Sequence, residues 1–353
     1  MKKKTSILII AASILLSVLV MIFQLPAEIF GRLEKVTSSR PDYGSDPIVV
    51  LADERVFTLF AALNAAGFDR EYPGMSMSPI RQQLREVLTG ESLPSTEKLK
   101  PFFDRIPDYH LIVWILQRGN PPVFERAEPG WWVTNRASRF NGLEDALSEF
   151  YFEADIDKLW QLFGPAYQAE IEHISPLAKQ SLEDIQTYIR IDKLPYKQIV
   201  IIPNPLDAYY SGTGPQINEI AYVIAGPTET DLSLKGLIEH EALHSVIGPM
   251  LEQNKKNISS TVAKDFYDVH KDNMPSGYGN WESMLEESII RAINLRMIND
   301  DKMRKTQLDH LEANGFLLIK PIDQELALFE LSRKTFENYL PTLLKNLEKV
   351  KLN

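Results

Sequence analysis

Residues Ile238–Pro249 read IEHEALHSVIGP and hold two of only six histidines in 353 residues. His240 and His244 stand at i and i+4. On a helix that spacing puts both imidazoles on one face, one turn apart, within reach of a single ion. Glu241 projects about 100° away from the first histidine. It is poorly placed to bind the same ion but well placed to reach a water that the ion holds. A carboxylate there accepts a proton from that water and passes it to a leaving amine. This is the physical content of H-E-x-x-H. Leu237, Ile238, Ala242, Leu243 and Val246 keep the neighbouring positions uncharged. The helix is therefore suited to burial everywhere except at a metal-facing edge, and two histidines and a glutamate buried there without a partner would be costly. Zn2+ is the expected partner. Thr228, Thr230 and Asp231 are candidates to cap the helix at its start, and Gly248-Pro249 is expected to stop it.

Working outward, YKQIVIIPNP and EIAYVIAGP are short apolar runs rich in β-branched residues and bounded by proline, so both read as strands. DAYYSGTGPQ between them reads as a loop, with Gly212 and Gly214 as breakers. EIAYVIAGP is expected to be an edge strand beside the metal, open to pairing with an extended peptide. Upstream, ADERVFTLFAALNAAGFD places Val56, Leu59, Phe60 and Leu63 on one helical face, and SPIRQQLREVL does so with Ile80, Leu84, Val87 and Leu88. Residues 98–117, 142–163 and 166–191 also read as helices. Trp114 and Trp160 are expected in the core. Trp131-Trp132 can serve there too, or line a groove. The expected fold class is α+β and mostly helical, with a small sheet beside the HExxH helix, preceded by a helical region. The expected divisions are 1–30 (leader), 31–47 (linker), 48–190 (helical region) and 191–353 (metal-binding catalytic region).

The leader begins with Lys2, Lys3 and Lys4 and is then uncharged from Thr5 to Phe23. That run has the roughly 17–25 residues a spanning helix needs, and no clear small-x-small cleavage site follows it. A single-pass membrane anchor with an extracytoplasmic catalytic region is therefore expected, or secretion if the leader is cleaved. The net charge of −10 argues against a general nucleic-acid binder, which needs basic surface to displace counterions. The absence of cysteine excludes thiol catalysis, disulfides and cysteine-ligated zinc.

A catalytic zinc needs a third protein ligand and an open position. No histidine follows at short range, and His270 in YDVHKDN stands isolated. The helix expected in NWESMLEESIIRAINLR carries Glu282, Glu286 and Glu287, with Leu285, Ile289, Ala292 and Ile293 on its apolar stripe. On a helical wheel Glu282 and Glu286 flank that stripe and Glu287 lies farther round, so spacing alone favours Glu286.

With HEALH on one helix and glutamates on a later one, the chain resembles the gluzincins, and the resemblance implies a zincin-like catalytic core. In several of their families the second helix reads like LNEGFA with the ligand in the Asn-Glu pair. LEESII aligns with it, and the resemblance implies Glu287 as the third ligand. The chain is also similar to a family of uncharacterised bacterial exported or membrane-anchored proteins of the zincin type. That likeness rests on ERVFTLFAALNAAGFD, on HExxHS, and on a glutamate four residues before Arg-Ala, again Glu287. The interval 251–280 is longer than the common gluzincin spacing and must fold as an insertion, with a helix expected in STVAKDFYDVHKD. Candidate donors to an oxyanion are Tyr278, Tyr209, Tyr210 and His270. The expected activity is zinc-dependent hydrolysis of peptide bonds in a peptide or protein substrate. The alternatives are a zinc hydrolase of non-protein amides such as cell-wall peptides, and a non-catalytic binding or sensor protein with a degenerate site.

Overall fold

Strands that are apolar at every position, rather than at alternate ones, are buried on both faces. IVIIP and IAYVIA are of this kind, and they form the centre of the sheet. The computed structural model describes residues 43–68, 71, 74–125, 137–257, 268–270, 272, 280–298 and 300–350. Strand β1 is Ile48–Val50, β2 Gln198–Pro203, β3 Gly212–Thr213, β4 Gln216–Ile217 and β5 Ile220–Ala225. β1, β2 and β5 run parallel, with Ile199 opposite Ile48 on one side and Ala221 on the other. β3 and β4 both pair antiparallel with the far edge of β5. The segment read as a loop therefore supplies the edge, and β5 lies between β2 and β3–β4. The expectation that EIAYVIAGP is an edge strand is overturned. β1, at the start of the expected helical region, is too short to announce itself by periodicity.

Each face of the sheet is covered by helices. One layer contains α1 (Glu54–Ala65), α2 (Pro79–Thr89), α3 (Ser95–Phe103), α4 (Asp108–Leu116) and α5 (Leu143–Glu153). It packs on Val200, Ile202, Tyr222 and Ile224. The other contains α7 (Asp231–Gln253), α8 (Trp281–Met297), α9 (Asp301–Ala313), α10 (Ile319–Leu331) and α11 (Phe336–Leu347). It packs on Ile199, Ile201, Ala221 and Val223. α6 (Ile156–Ile189) spans both layers: Phe163 and Tyr167 enter the first core, Ile174 and Ile185 the second. The fold is α+β, mostly helical, with a small mixed sheet.

Several boundaries depart from the sequence expectation for identifiable reasons. α6 runs unbroken through Pro165 and Pro176. Both prolines are exposed, and the carbonyls they leave without a helical donor, those of Gln161 and Glu172, also belong to exposed residues, where solvent can satisfy them. The break comes earlier, at Asp155, whose φ is +47°. The region 98–117 is two helices, separated before Pro107. Leu84 and Leu88 of α2 are buried but Val87 is exposed. Gly248-Pro249 does not stop α7, which continues to Gln253. Met250 and Leu251 are buried beyond the proline, and that packing outweighs the local stop signal. Thr230 is the residue that caps α7, accepting from the Ser233 amide.

Among the described residues no helix is long and apolar enough to cross a membrane. The two longest, α6 and α7, carry charged residues along their lengths. The single-pass membrane anchor and the localisation built on it are thus not supported. The stretch Thr5–Phe23 that prompted them lies outside the described residues. So do Trp131-Trp132, Tyr278 and most of the helix expected in the insertion.

Candidate metal centre

The centre is assembled by α7 and α8, which pack side by side under the edge of the sheet. Each helix is capped so that its first turn is fixed: Thr230 caps α7 and Asn280 caps α8 through the Ser283 amide. Ile238, Ala242, Leu243 and Val246 are buried below the sheet, which turns His240 and His244 towards α8. The two rings stand edge to face, with centroids 5.1 Å apart. His240 Nε2 lies 3.3 Å from Glu287 Oε1, and His244 Nε2 lies 3.6 Å from Glu287 Oε2. The three ligand-capable atoms of His240, His244 and Glu287 all lie within 4.8 Å of one another.

Those distances have a specific meaning. Ligand atoms bound tetrahedrally to zinc at about 2.0–2.2 Å are separated by roughly 3.3–3.6 Å. The two nitrogen–oxygen contacts, one to each oxygen of Glu287, are of that order, so the three side chains could hold a metal ion between them. Among the described residues this is the only such group of three.

Glu286 and Glu287 have different tasks. Glu287 is buried and faces both imidazoles, whereas Glu286 meets the opposite nitrogen of His244, with Nδ1 to Oε1 at 2.9 Å. A carboxylate on the far ring nitrogen fixes the tautomer and orientation of a ligating histidine. The helical wheel favoured Glu286 because it assumed a single apolar stripe. α8 is buried on several sides, from Met284 and Leu285 through Ile289, Ile290 and Ile293, so the wheel has no single inner face. Gly248 lets the two helices approach here: a Cβ on it would stand 3.2 Å from Glu286 Oε1.

Electrostatics follow from this crowding. Burial alone would raise the Glu287 carboxyl, but the hydrogen bond and charge of His240, with Arg291 and His244, hold it down at about 2. Arg291 Nη2 lies 2.6 Å from Glu287 Oε1, and its guanidinium sits over the Phe316 ring. Burial raises the Glu241 carboxyl, partly offset by the two histidines. For His244, burial lowers the imidazole, but Glu286, Glu241 and Glu287 more than reverse this, so it is raised.

Glu241 lies beneath β3. A Cβ on Gly212 would fall 2.6 Å from Glu241 Oε1, and one on Gly214 would fall 2.2 Å from the Glu241 carbonyl oxygen. The glycines read as loop breakers are there because the edge strand lies directly on the helix at Glu241. Above the centre opens a cleft of about 1030 Å³. Its walls include Thr213 and Gln216 from the sheet edge, Arg291 and Asn294 from α8, and Tyr109 and Tyr210.

Tyr109 is the residue that sequence reasoning missed. It belongs to the first turn of α4, far from HEALH in sequence, and overhangs the cleft with half its surface open to solvent. The crowding of the cleft wall, together with the charges of Glu286 and Glu241, raises its phenol. Its one sequence signal is that it opens a helix, DYHLIVWIL, that is otherwise almost wholly apolar. Of the other candidates, Tyr210 lines the cleft but donates its hydroxyl to Glu229 at 2.9 Å. Tyr209 lines a different cavity, and His270 does not line the cleft.

Residues 224–346 match a family model described as a domain of unknown function, DUF4932. The DUF4932 match contains the histidines of α7 and the glutamates of α8, so the whole candidate metal centre falls inside it. Tyr109, β3 and β4 fall outside it. No curated protein and no solved structure matches the chain. The match carries no activity with it, and the likeness to gluzincins stays an expectation.

Proposed function

We propose that the chain is a zinc-dependent hydrolase of peptide bonds, of gluzincin type, with His240, His244 and Glu287 as ligands. The observation that supports this reading is the convergence of His240, His244 and Glu287, whose ligand-capable atoms lie within 4.8 Å of one another, on the helix pair that also carries Glu241. Three protein ligands leave a fourth position for water or substrate, as catalysis requires. Zinc bound there supplies a Lewis acid that polarises a carbonyl and lowers the pKa of water.

The remaining work belongs to the chain's own residues. Glu241, buried between the helix and β3, takes the proton from the attacking water and returns it to the departing amine. Glu286 orients His244, and Arg291 balances the charge of Glu287. Tyr109 faces the cleft with a hydroxyl available to a developing oxyanion. An extended peptide pairs with β3 and β4, the strands that line the cleft, rather than with β5.

Metal analysis and substrate profiling test the proposal together. The wild type is expected to bind about one zinc per chain, and His244→Ala and Glu287→Ala to bind none. Zinc-loaded wild type is expected to cleave members of a mixed peptide library, with Glu241→Gln retaining zinc and losing turnover. Wild-type protein that takes up no zinc removes the metal site. Zinc uptake without turnover of any peptide removes the peptidase reading and leaves a binding module or a hydrolase of other amides.

A further inference from the structure

We infer that Gly236 opens a pocket beside the metal centre for a large apolar side chain of the substrate, so that this glycine sets which residue stands next to the bond that is cut. The pocket belongs to the hydrolase site proposed above and has a role only if that site binds metal. Gly236 lies within α7 and precedes His240 by four positions. A side chain there would share the helix face of both histidines, about 6 Å along the axis from His240. Gly236 is partly exposed and lines the metal cleft.

Glycine inside a helix is destabilising relative to alanine, because it loses more backbone freedom on folding. At Gly212, Gly214 and Gly248 a close neighbour accounts for it: an added Cβ would run into Glu241 at the first two and Glu286 at the third. Gly236 has no such neighbour. A Cβ built on it meets nothing within 4 Å outside the adjoining turns of its own helix backbone. Its backbone is helical, so no left-handed conformation requires glycine either. The fold leaves room for a side chain at this position, and the open cleft in front of it accounts for the absence of one.

The walls of the hollow select its occupant. α7 and α8 run antiparallel along the cleft: Asn294 Nδ2 lies 3.5 Å from the Gly236 carbonyl oxygen, His240 and His244 face Glu287, and Gly248 faces Glu286. The Gly236 end is therefore the end lined by Leu295 of α8 and, from α9, Leu311. Leu237 lines it beneath the edge strand at Gly212. Leu237 and Leu311 are both partly exposed. The cleft's carboxylates, Glu241, Glu286 and Glu287, are grouped at the two histidines, so a lysine or arginine side chain finds no counter-ion in the hollow. The charge of Arg291 is matched by Glu287 at 2.6 Å, and its guanidinium lies over the Phe316 ring, so an acidic side chain gains little there. An apolar side chain of leucine size buries against the leucines with no charge left unmatched. Past His244 the walls are Ser245, Pro249 and Ser283 instead, so the preference belongs to one side of the cut bond.

Calorimetric titration of zinc-loaded protein with three chelating probes tests this: the α-hydroxamates of N-acetyl-glycine, N-acetyl-leucine and N-acetyl-aspartate. Each hydroxamate grips the metal, and the side chain reports on the pocket. The leucine probe is expected to bind the wild type about 10–100-fold more tightly than the glycine probe, with the aspartate probe no tighter than glycine. Gly236→Leu fills the hollow with a good helix former. It is expected to bring the leucine-to-glycine ratio down to about one while the melting midpoint stays at or above that of the wild type. Gly236→Ala should lower the ratio several-fold, and decides the matter if the larger side chain is not tolerated. A wild-type ratio near one, a ratio unchanged in the folded variants, or a preference for the aspartate probe overturns the pocket and leaves the metal site in place. Failure of all three probes to bind, glycine included, removes the metal site itself and the pocket with it.

Discussion

Gly214→Ala is the sharpest test of how the edge strand meets the HEALH helix. The new Cβ would lie 2.2 Å from the Glu241 carbonyl oxygen, 2.8 Å from its carbonyl carbon and 3.0 Å from its Cα. Ordinary van der Waals contact begins near 3.4 Å, so strand and helix must separate by roughly 1 Å. Every atom on the receiving side is backbone, so no rotamer change relieves the overlap. Overpacking of this kind costs about 1–3 kcal/mol, and a backbone-on-backbone clash belongs at the upper end. For a chain of this size each kcal/mol moves the melting midpoint by about 1.3 °C, giving an expected fall of roughly 3–4 °C. Gly236→Ala is the matched control. It lies within α7 with nothing inside 4 Å of the added carbon, so alanine gains helix propensity worth about 0.5–1 kcal/mol. The two variants therefore have opposite signs, read by circular dichroism melts at 222 nm. A Gly214→Ala midpoint within about 1 °C of wild type would refute the close contact, as would a rise like that of Gly236→Ala.

Other outcomes follow from the same geometry. In chelator competition, Glu287→Ala should abolish stoichiometric zinc binding, while Glu286→Ala, which removes only the partner of His244 Nδ1, should weaken it about 10–100-fold. Zinc at about 100 times its dissociation constant should stabilise the wild type by about 2.7 kcal/mol in denaturant titrations and His240→Ala not at all. Arg55, fully buried, is paired with Asp53 and donates to the carbonyls of Leu116 and Arg118. Arg55→Ala leaves that carboxylate buried and unpaired and should cost about 3–5 kcal/mol in the same titrations. Glu330 is held below the usual carboxylate range by its hydrogen bonds with Arg296, against partial burial. Its contribution is complete above the unfolded value of about 4.3 and is lost as pH falls through the lower folded value. Glu330→Gln should thus flatten the acid limb of a stability–pH curve and leave the region above neutrality parallel to wild type.

Much of the candidate site is legible locally because an i, i+4 pair is a statement about one turn of helix. His240 and His244 converge for that reason, with no help from the rest of the chain. The partner from α8 is a different matter. Periodicity ranks Glu286 above Glu287 because it counts one apolar stripe, and α8 has neighbours on several sides. The likeness to gluzincin helices points to Glu287, the residue whose carboxylate meets both imidazoles. Tyr109 is invisible by any local rule, since only the packing of α4 brings it over the cleft.

The same division runs through the fold. Runs apolar at every position, as in IVIIP and IAYVIA, determine two buried strands by themselves, because a strand flanked by water on one face would alternate. The spacing of Val56, Leu59, Phe60 and Leu63 likewise determines α1. Tertiary structure alone decided the sheet edge. β3 and β4 are two residues each, too short for any pattern, and exist because β5 offers an unpaired row of backbone groups beside the HEALH helix. It also decided that Gly248-Pro249 leaves α7 intact and that Pro165 and Pro176 leave α6 intact. Burial beyond the first, and exposure of the carbonyls freed by the others, outweigh what each proline does to its own turn of helix.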